Sequence, residues 1–547
     1  MDLTGTSRDD RTRTDALKIP CPAGACVSCA TGVVLAAFCW ARADGPFRVL
    51  PYLQNPATDA ITVMWFSETS TTGQVAFCQT GVWSAPLEVP AVLASALDYH
   101  SSETNSPPPL PHPPLPYLHR VRLTGLLAGT AYEYVVTQDE VSITNSFRTA
   151  PPRDSAVRFV VYSDSETEPE STGSREKWPE PNGNADRLYP VDQTRGYQEN
   201  LQIMAARNPD FIVIAGDLVE AGGEQRDWDE FWRHNAGVLG DLASTVPIMP
   251  ALGNHEYYGG TRGGYSQPTS EVSVAKYLTY FELPANGAAN PAHNGRYYRL
   301  DYGPVTLVVL DLCNGDDTDP AKDTSTYLKT ADGCQAPDFN PGSPQYAWLE
   351  EQLASAQTNS PFTFVAFHQT PYSVGPHGKA DESQSGVPVR VLTPLFLKYG
   401  VDAVLAGHDE MYERSVVTGI EQLPGGGTRP VTLSFYDIGI GGDRLREPFS
   451  GLVNDKQVFL AHDDAPEMWS GARLVSGGKH YGHLEVNVRV NGQGKWEAVL
   501  TPVYAFPLMD SGGTVTGFER RTYADEVTII SASAPLLGQK GAIVTEW

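Results

Sequence analysis

Phe211-Ile-Val-Ile-Ala-Gly-Asp217 is a short apolar run, rich in β-branched residues, that ends on a glycine and then an acid. Such a run reads as a strand buried on both faces, the kind that fills a parallel sheet. Four other runs repeat the plan. Val157-Arg-Phe-Val-Val-Tyr-Ser163 ends at Asp164-Ser-Glu166, and Val246-Pro-Ile-Met-Pro-Ala-Leu-Gly253 ends at Asn254-His255-Glu256. Phe362-Thr-Phe-Val-Ala-Phe367 ends at His368, and Val401-Asp-Ala-Val-Leu-Ala-Gly407 ends at His408-Asp-Glu410. Amphipathic stretches at Tyr197–Asn208 and Gln345–Gln357 predict helices between them, so the chain from 155 onward reads as an α/β layer. Parallel strands share a carboxyl edge, where open α/β sheets bind ligands. Turn or cap chemistry accounts for one strand-end aspartate. It does not account for polar clusters at five successive strand ends, which together predict one convergent site.

Asp, Asn, His and Glu form an oxygen and nitrogen donor set for hard or borderline cations. Two pockets sharing one aspartate hold two ions about 3.5–4 Å apart, which acidify a bridging water and clamp a phosphoryl oxygen. A nearby acid then protonates the leaving oxygen.

Ahead of this layer, residues 47–150 read as antiparallel β. Ala60-Ile-Thr-Val-Met-Trp-Phe66 is β-branched and aromatic, His119-Arg-Val-Arg-Leu-Thr124 alternates, and Thr130-Ala-Tyr-Glu-Tyr134 follows a turn. This pattern predicts a small β-sandwich, expected to pack on the catalytic part and to rim the mouth of its site. Pro107–Pro116 holds seven prolines and predicts a stiff surface loop. Residues 314–343 predict a long polar loop, and 480–547 a return to alternating strands.

The chain of 547 residues is long enough for several domains and a large core. Its net charge of −26 argues against binding to nucleic acid or an anionic membrane, both of which need clustered Lys and Arg. A small phosphate ester remains compatible, because bound cations invert the local field. Residues 1–43 read as a signal peptide. Arg8, Arg11, Arg13 and Lys18 precede the apolar run Cys26–Trp40, and Ala41-Arg-Ala43 is an A-x-A cleavage site. The expected location is secreted or periplasmic, with no stable membrane insertion. Cys21, Cys26, Cys29 and Cys39 fall in this leader. Cys313 and Cys334 flank a polar loop, and the sequence leaves their pairing open, as it leaves the oligomeric state.

Gly216-Asp217, Gly253-Asn-His-Glu256, His368 and Gly407-His-x-x-Met-Tyr-Glu-Arg414 resemble the calcineurin-like metallophosphoesterase superfamily. The nearest branch is the purple acid phosphatases, which carry a fibronectin-III-like N-terminal sandwich. Pro51-Tyr-Leu-Gln, Trp65, Leu123-Thr-Gly-Leu and Phe147-Arg-Thr-Ala-Pro match that sandwich. The resemblance covers about 47–505. It implies a sandwich over 47–150, a two-sheet α/β catalytic domain over 155–505 and a β-rich extension over 506–547.

The resemblance also implies a pair of metal ions. Asp217 bridges, Asn254, His368 and His408 complete the second site, and Asp164 belongs to the first. His255 contacts the phosphate and protonates the leaving group. His377 sits in a loop that approaches substrate in relatives, or else is a solvent-exposed residue with no role. Arg414 stabilises its own loop.

Three positions depart from the family. Glu410 and Glu166 stand where relatives carry His, or His or Gly. Glu220 replaces the tyrosine ligand, so no purple colour is expected. Either the first site is rebuilt from Asp164, Asp217, Glu410 and Glu166, with Glu220 competing, or it has decayed to a one-metal or inactive form. Carboxylates shift the preference from Zn towards Fe, Mn, Mg or Ca. The implied activity is hydrolysis of phosphomonoesters by a metal-bridged hydroxide. A phosphodiesterase or nucleotidase on the same fold, and a non-catalytic secreted protein with a structural metal and an adhesion or assembly role, stay open as alternatives.

Overall fold

The computed structural model describes residues 45–531, apart from 101–102, 104–111, 180–185, 260–264, 266–268 and 462. The leader read as a signal peptide, its four cysteines and residues 107–111 of the proline-rich loop lie outside the described residues.

Eight strands build the N-terminal sandwich. One sheet holds β1 (Phe47–Gln54), β2 (Ala60–Ser67), β6 (Tyr117–Thr124) and β5 (Val92–Leu93), in that order. The other holds β4 (Leu87–Val89), β3 (Gly73–Cys78), β7 (Ala131–Gln138) and β8 (Val141–Arg148). Strand β2 is buried along its whole length because both of its faces are covered. Its period-2 alternation sends Ile61, Val63 and Trp65 into the sandwich core and Met64 and Phe66 into the next layer, beside Trp228 and Trp232. Each such fully buried side chain contributes about 1.5–3 kcal/mol. The sandwich therefore docks by a continuous apolar face, as expected. Among the described residues it does not rim the site: those that line the cleft all come from Glu166 onward.

A short two-stranded ribbon, β10 (Lys177–Pro179) and β11 (Asp186–Leu188), stands apart from two large sheets. The first large sheet runs β13 (Ile248–Pro250), β12 (Phe211–Ile214), β9 (Val157–Tyr162), β23 (Gly482–Val490), β24 (Trp496–Met509), β25 (Val515–Tyr523), β22 (Arg473–Gly478), β21 (Asp463–Ser470), with β26 (Val527–Ile530) also on β24. The second runs β14 (Tyr298–Tyr302), β15 (Val305–Val309), β16 (Phe362–Gln369), β17 (Ala403–Gly407), β19 (Thr428–Ile438), β18 (Tyr412–Gln422), β20 (Gln457–Leu460).

The sheets face one another through a shared core. Phe159, Val161 and Val213 point inward from one sheet, and Leu307, Phe364 and Leu405 from the other. The alternate residues face outward under helices. Val160, Tyr162, Ile212 and Ile214 lie beneath α1 (Gln193–Ala205), α2 (Gln225–Asn235) and α3 (Thr269–Tyr280). Val308, Val365 and Val404 lie beneath α4 (Pro344–Asn359) and α5 (Thr393–Lys398). Burial on both faces explains why these strands read as unbroken apolar runs.

Helix α1 begins at Gln193 rather than Tyr197, because Asp192 caps it by accepting from the Arg195 N–H, and it ends before Asn208 at φ 49°. Helix α4 starts on the Ser343 cap with Pro344 in its first turn. The boundary expected at 505/506 falls inside β24. Strands β25 and β26 pair with β24, so the residues described after 505 continue the first sheet. Cys313 and Cys334 are separate buried thiols.

Arg414 turns away from the cleft and holds the C-terminal segment. Its Nε and Nη2 donate to the two oxygens of Asp525 at 2.8 and 2.6 Å, and the Tyr412 hydroxyl donates to the same carboxylate at 2.8 Å. Removing one partner of a buried ion pair strands the other, at about 3–5 kcal/mol. Asp525→Ala is therefore expected to lower full-chain stability by about 3 kcal/mol in urea unfolding. An unchanged midpoint would show that this clasp contributes nothing.

Candidate metal centre

Strands β9, β12 and β13 pair in parallel, as do β15, β16, β17 and β19, so their carboxyl ends open on one edge of the two-sheet core. The chain turns sharply there. Asp164 (φ 57°), Glu166 (33°), Asp217 (51°), His408 (85°) and Glu410 (48°) all take the left-handed conformation, which costs a non-glycine residue about 1–3 kcal/mol. Strain at five residues that share one edge points to a site. Close approach sets two of the preceding glycines. A Cβ on Gly253 would lie 2.1 Å from Asp217 Oδ1, and one on Gly407 would lie 2.2 Å from Asp164 Oδ2.

The first three donors meet tightly. His368 Nε2 lies 2.8 Å from Asp217 Oδ2 and 3.1 Å from His408 Nδ1. The outer nitrogens fix both tautomers, since His368 Nδ1 donates to the Ala215 carbonyl (2.9 Å) and His408 Nε2 to that of Gln384 (2.7 Å). The two inner nitrogens therefore turn lone pairs towards one another and towards a carboxylate oxygen. A proton or a cation between them relieves that repulsion. Burial favours neutral His368, yet Asp217 holds its pKa up at about 9, as a proton taking that place should. Burial and the His377 and His368 rings push His408 well below 6.5, keeping it neutral. Asn254 Oδ1 is buried without a partner, while its Nδ2 donates to the Tyr258 hydroxyl at 3.2 Å. The donor chemistry of this group fits a borderline cation.

Beside it, carboxylate oxygens of Asp164, Glu166 and Glu410 lie within 4.8 Å of one another, all three side chains buried. Burial pushes Glu166 and Glu410 well above the usual carboxylate range, and Asp164 to about 6. Glu166 Oε1 has no hydrogen-bond partner. Asp164 accepts from the His408 N–H with both oxygens, at 3.1 and 3.0 Å. Three buried acids facing one another fit a hard cation. Glu220 joins from the other side, grouped with Glu166 and His255, so the structure brings both candidate glutamates to this pocket.

His255 lies between the pockets. Its Nδ1 donates to the Glu220 carbonyl at 2.7 Å, which leaves Nε2 at 3.8 Å from both Glu166 Oε1 and Asp217 Oδ2. Burial alone would lower its pKa, but Asp217 and Glu220 raise it above 6.5. Glu256 braces the centre by accepting from the backbone N–H groups of Asp217, Leu218 and Gly253 at 3.0, 2.8 and 2.7 Å.

His377 is neither an exposed loop residue nor part of the cleft lining. Its ring stacks on His408 at 3.8 Å, Glu382 lies 3.3 Å from Nδ1, and Arg446 Nη1 lies 3.0 Å from Nε2. Sequence reasoning missed Arg446, Asp443 and Gln384. Arg446 forms an ion pair with Glu410. Asp443 accepts from Gln193 at 2.9 Å, and its charge raises the neighbouring Glu166 and Glu220. One signal was available: β19 also ends at this edge, and Gly439-Ile-Gly-Gly-Asp443 follows it. Glu166, Glu220, His255 and Glu410 line a cleft of about 1270 Å³.

Raised carboxylate and imidazole pKa values act in the same direction. The fold holds protons that the unfolded chain releases, so the centre favours folding at acid pH and opposes it as pH rises through the raised values. A bound cation replaces those protons. Manganese or calcium is expected to raise the thermal midpoint of chelated protein more at pH 7 than at pH 5. Equal shifts at both would contradict a cation site here.

Residues 158–411 match the calcineurin-like phosphoesterase family model, and residues 46–149 match that of the purple acid phosphatase N-terminal domain. An uncharacterized Mycobacterium tuberculosis protein is 27% identical over 333 residues, covering 59% of this chain and 54% of that one. Purple acid phosphatase 21 of Arabidopsis thaliana is 27% identical over 282 residues, covering 50% and 54%. The chain thus spans about half the length of these curated relatives. Among solved structures, a purple acid phosphatase from yellow lupin seeds superposes with TM-score 0.55 at 21% identity, covering 86% of this chain and 74% of that one. By sequence match and by fold, this chain carries a calcineurin-like phosphoesterase domain behind a purple acid phosphatase N-terminal domain.

Proposed function

We propose that this chain is an exported, two-metal phosphoesterase that hydrolyses phosphomonoesters. The observation that carries the reading is the meeting of Asp217 Oδ2, His368 Nε2 and His408 Nδ1, with both imidazole tautomers locked, beside a second pocket of three buried acids. Asp217, Asn254, His368 and His408 would hold one cation. Asp164, Glu166 and Glu410, sharing Asp217, would hold the other, with Glu220 and Asp443 close by. Two cations so held supply an acidified water as nucleophile and neutralise charge on the phosphoryl group.

The chain's own groups do the rest. Asp217 would be shared through Oδ2, which faces His368 at 2.8 Å and lies 3.8 Å from His255 Nε2, while Oδ1 is held by the His255 N–H at 2.9 Å. His255 keeps its Nδ1 proton on the Glu220 carbonyl and aims Nε2 between the pockets, so the mobile proton is at Nε2. Its raised pKa keeps that proton available for a leaving oxygen near neutral pH. Arg444 and Arg446 line the cleft and set positive charge against its acids, which an anionic substrate requires in a chain of net charge −26. His377 orients His408 by stacking. Export rests on the leader, and N-terminal sequencing of mature protein is expected to begin at Asp44.

Turnover of p-nitrophenyl phosphate is expected to vanish on chelation and to return with manganese, magnesium or calcium better than with zinc. His255→Ala is expected to keep its metal and lose about 10²-fold in kcat, with the alkaline limb of the pH profile altered. Glu410→Ala is expected to lose one equivalent of metal and most activity. No turnover with any of these metals would favour the non-catalytic reading instead.

A further inference from the structure

The cleft has an aromatic wall that the chemistry above leaves unused. The Tyr258 ring lies 4.3 Å from that of His255, Tyr265 meets Tyr258 edge-on at 4.9 Å and 88°, and Tyr327 stacks on Tyr265 at 5.1 Å and 15°. Gln384 pins the wall. Its Nε2 donates to the Tyr258 and Tyr265 hydroxyls at 3.1 and 2.7 Å, and its carbonyl is the one that holds His408. The wall is therefore registered to the metal pockets. It ends at Tyr327, which lines the cleft and is 52% exposed. Phe449, three residues after Arg446, lines the same cleft and is 43% exposed, with the Lys379 ammonium 4.6 Å over its ring. A single exposed aromatic needs no explanation. Two in one cleft whose remaining lining is mostly charged, one of them ending a fixed stack that starts at the proton donor, form a surface for a planar ring.

We infer that this wall is a leaving-group subsite, and that the substrates are phosphate esters whose leaving group carries a flat aromatic ring, stacked on Tyr327. The inference rests on the phosphoesterase reading and narrows it. Nucleosides and simple phenols share this chemistry. Neither Tyr327 nor Phe449 needs to move, because both already face the cleft. The ring contributes binding without touching the reacting atoms, so its effect falls on kcat/KM through the affinity for the leaving group.

Two pairs of probes isolate the ring. Adenosine 5′-monophosphate and ribose 5-phosphate break the same primary ester bond and differ by the base. Phenylphosphonate and cyclohexylphosphonate do not turn over and differ by flatness, so calorimetric binding reads the subsite whether or not the chain hydrolyses anything. The full-length mature protein is expected to prefer the flat member of at least one pair by about tenfold. Tyr327→Ala is expected to abolish that preference, and Tyr327→Phe to retain it. Tyr327 is half exposed, so neither change threatens the fold. Loss confined to the nucleotide pair assigns a nucleobase, and loss in the phosphonate pair assigns any aryl ring. Preferences that are absent in the wild type, or that survive Tyr327→Ala in both pairs, would overturn the subsite. Failure to hydrolyse either sugar phosphate would overturn the phosphoesterase reading separately.

Discussion

Two imidazole lone pairs aimed at one another, with a carboxylate oxygen beside them, organise this molecule. His368 Nε2 and His408 Nδ1 stand 3.1 Å apart because the outer nitrogen of each ring is committed to a backbone carbonyl. Neither ring can flip without stranding a buried donor, which costs about 1–3 kcal/mol. Alone, the arrangement is repulsive, and a positive charge between the rings makes it favourable. The surrounding architecture serves that geometry. Parallel strands bring three sharply turned strand ends to one edge, Glu256 gathers three backbone N–H groups to hold the Asp217 turn, and His377 stacks behind His408.

The adjacent pocket is governed by charge. Asp164, Glu166 and Glu410 are buried within reach of one another, and burial raises all three. Uncompensated, such a cluster works against folding near neutral pH. Arg446 offsets part of it through Glu410. Relatives with histidine at position 410 would present a neutral donor there. This chain offers a carboxylate there, so a cation held by Asp164, Glu166 and Glu410 would be harder and its affinity more dependent on pH. The left-handed backbone at Asp164, Glu166, Asp217, His408 and Glu410 is strain that a bound ion would help to hold in place.

Strand-end logic found most of this centre because it depends on local pattern. An apolar run ending in a ligand type survives any uncertainty about neighbouring loops, and Asp164, Asp217, Asn254, His368 and His408 all reach the same edge. Glu166 and Glu220 were both named, and both arrive. What escaped lies in segments whose position is tertiary. Arg446, Asp443 and Gln384 sit on irregular chain, and nothing periodic marks where such chain returns. His377 was read as a substrate-facing or solvent loop, yet it is packed behind His408, because sequence gives no sign of which side of that residue the loop passes. The division at 505/506 falls inside β24, and among the described residues the sandwich stays off the cleft, because the apolar face of β2 docks on α2.

Anomalous diffraction at the absorption edges of the metals carried by purified full-length protein measures the centre most directly. Two peaks about 3.5–4 Å apart are expected, one among Asp217, Asn254, His368 and His408 and the other among Asp164, Glu166 and Glu410, with Asp217 between them. A single peak, with the Arg446 guanidinium lying among the three carboxylates instead of a second ion, would contradict the two-metal account.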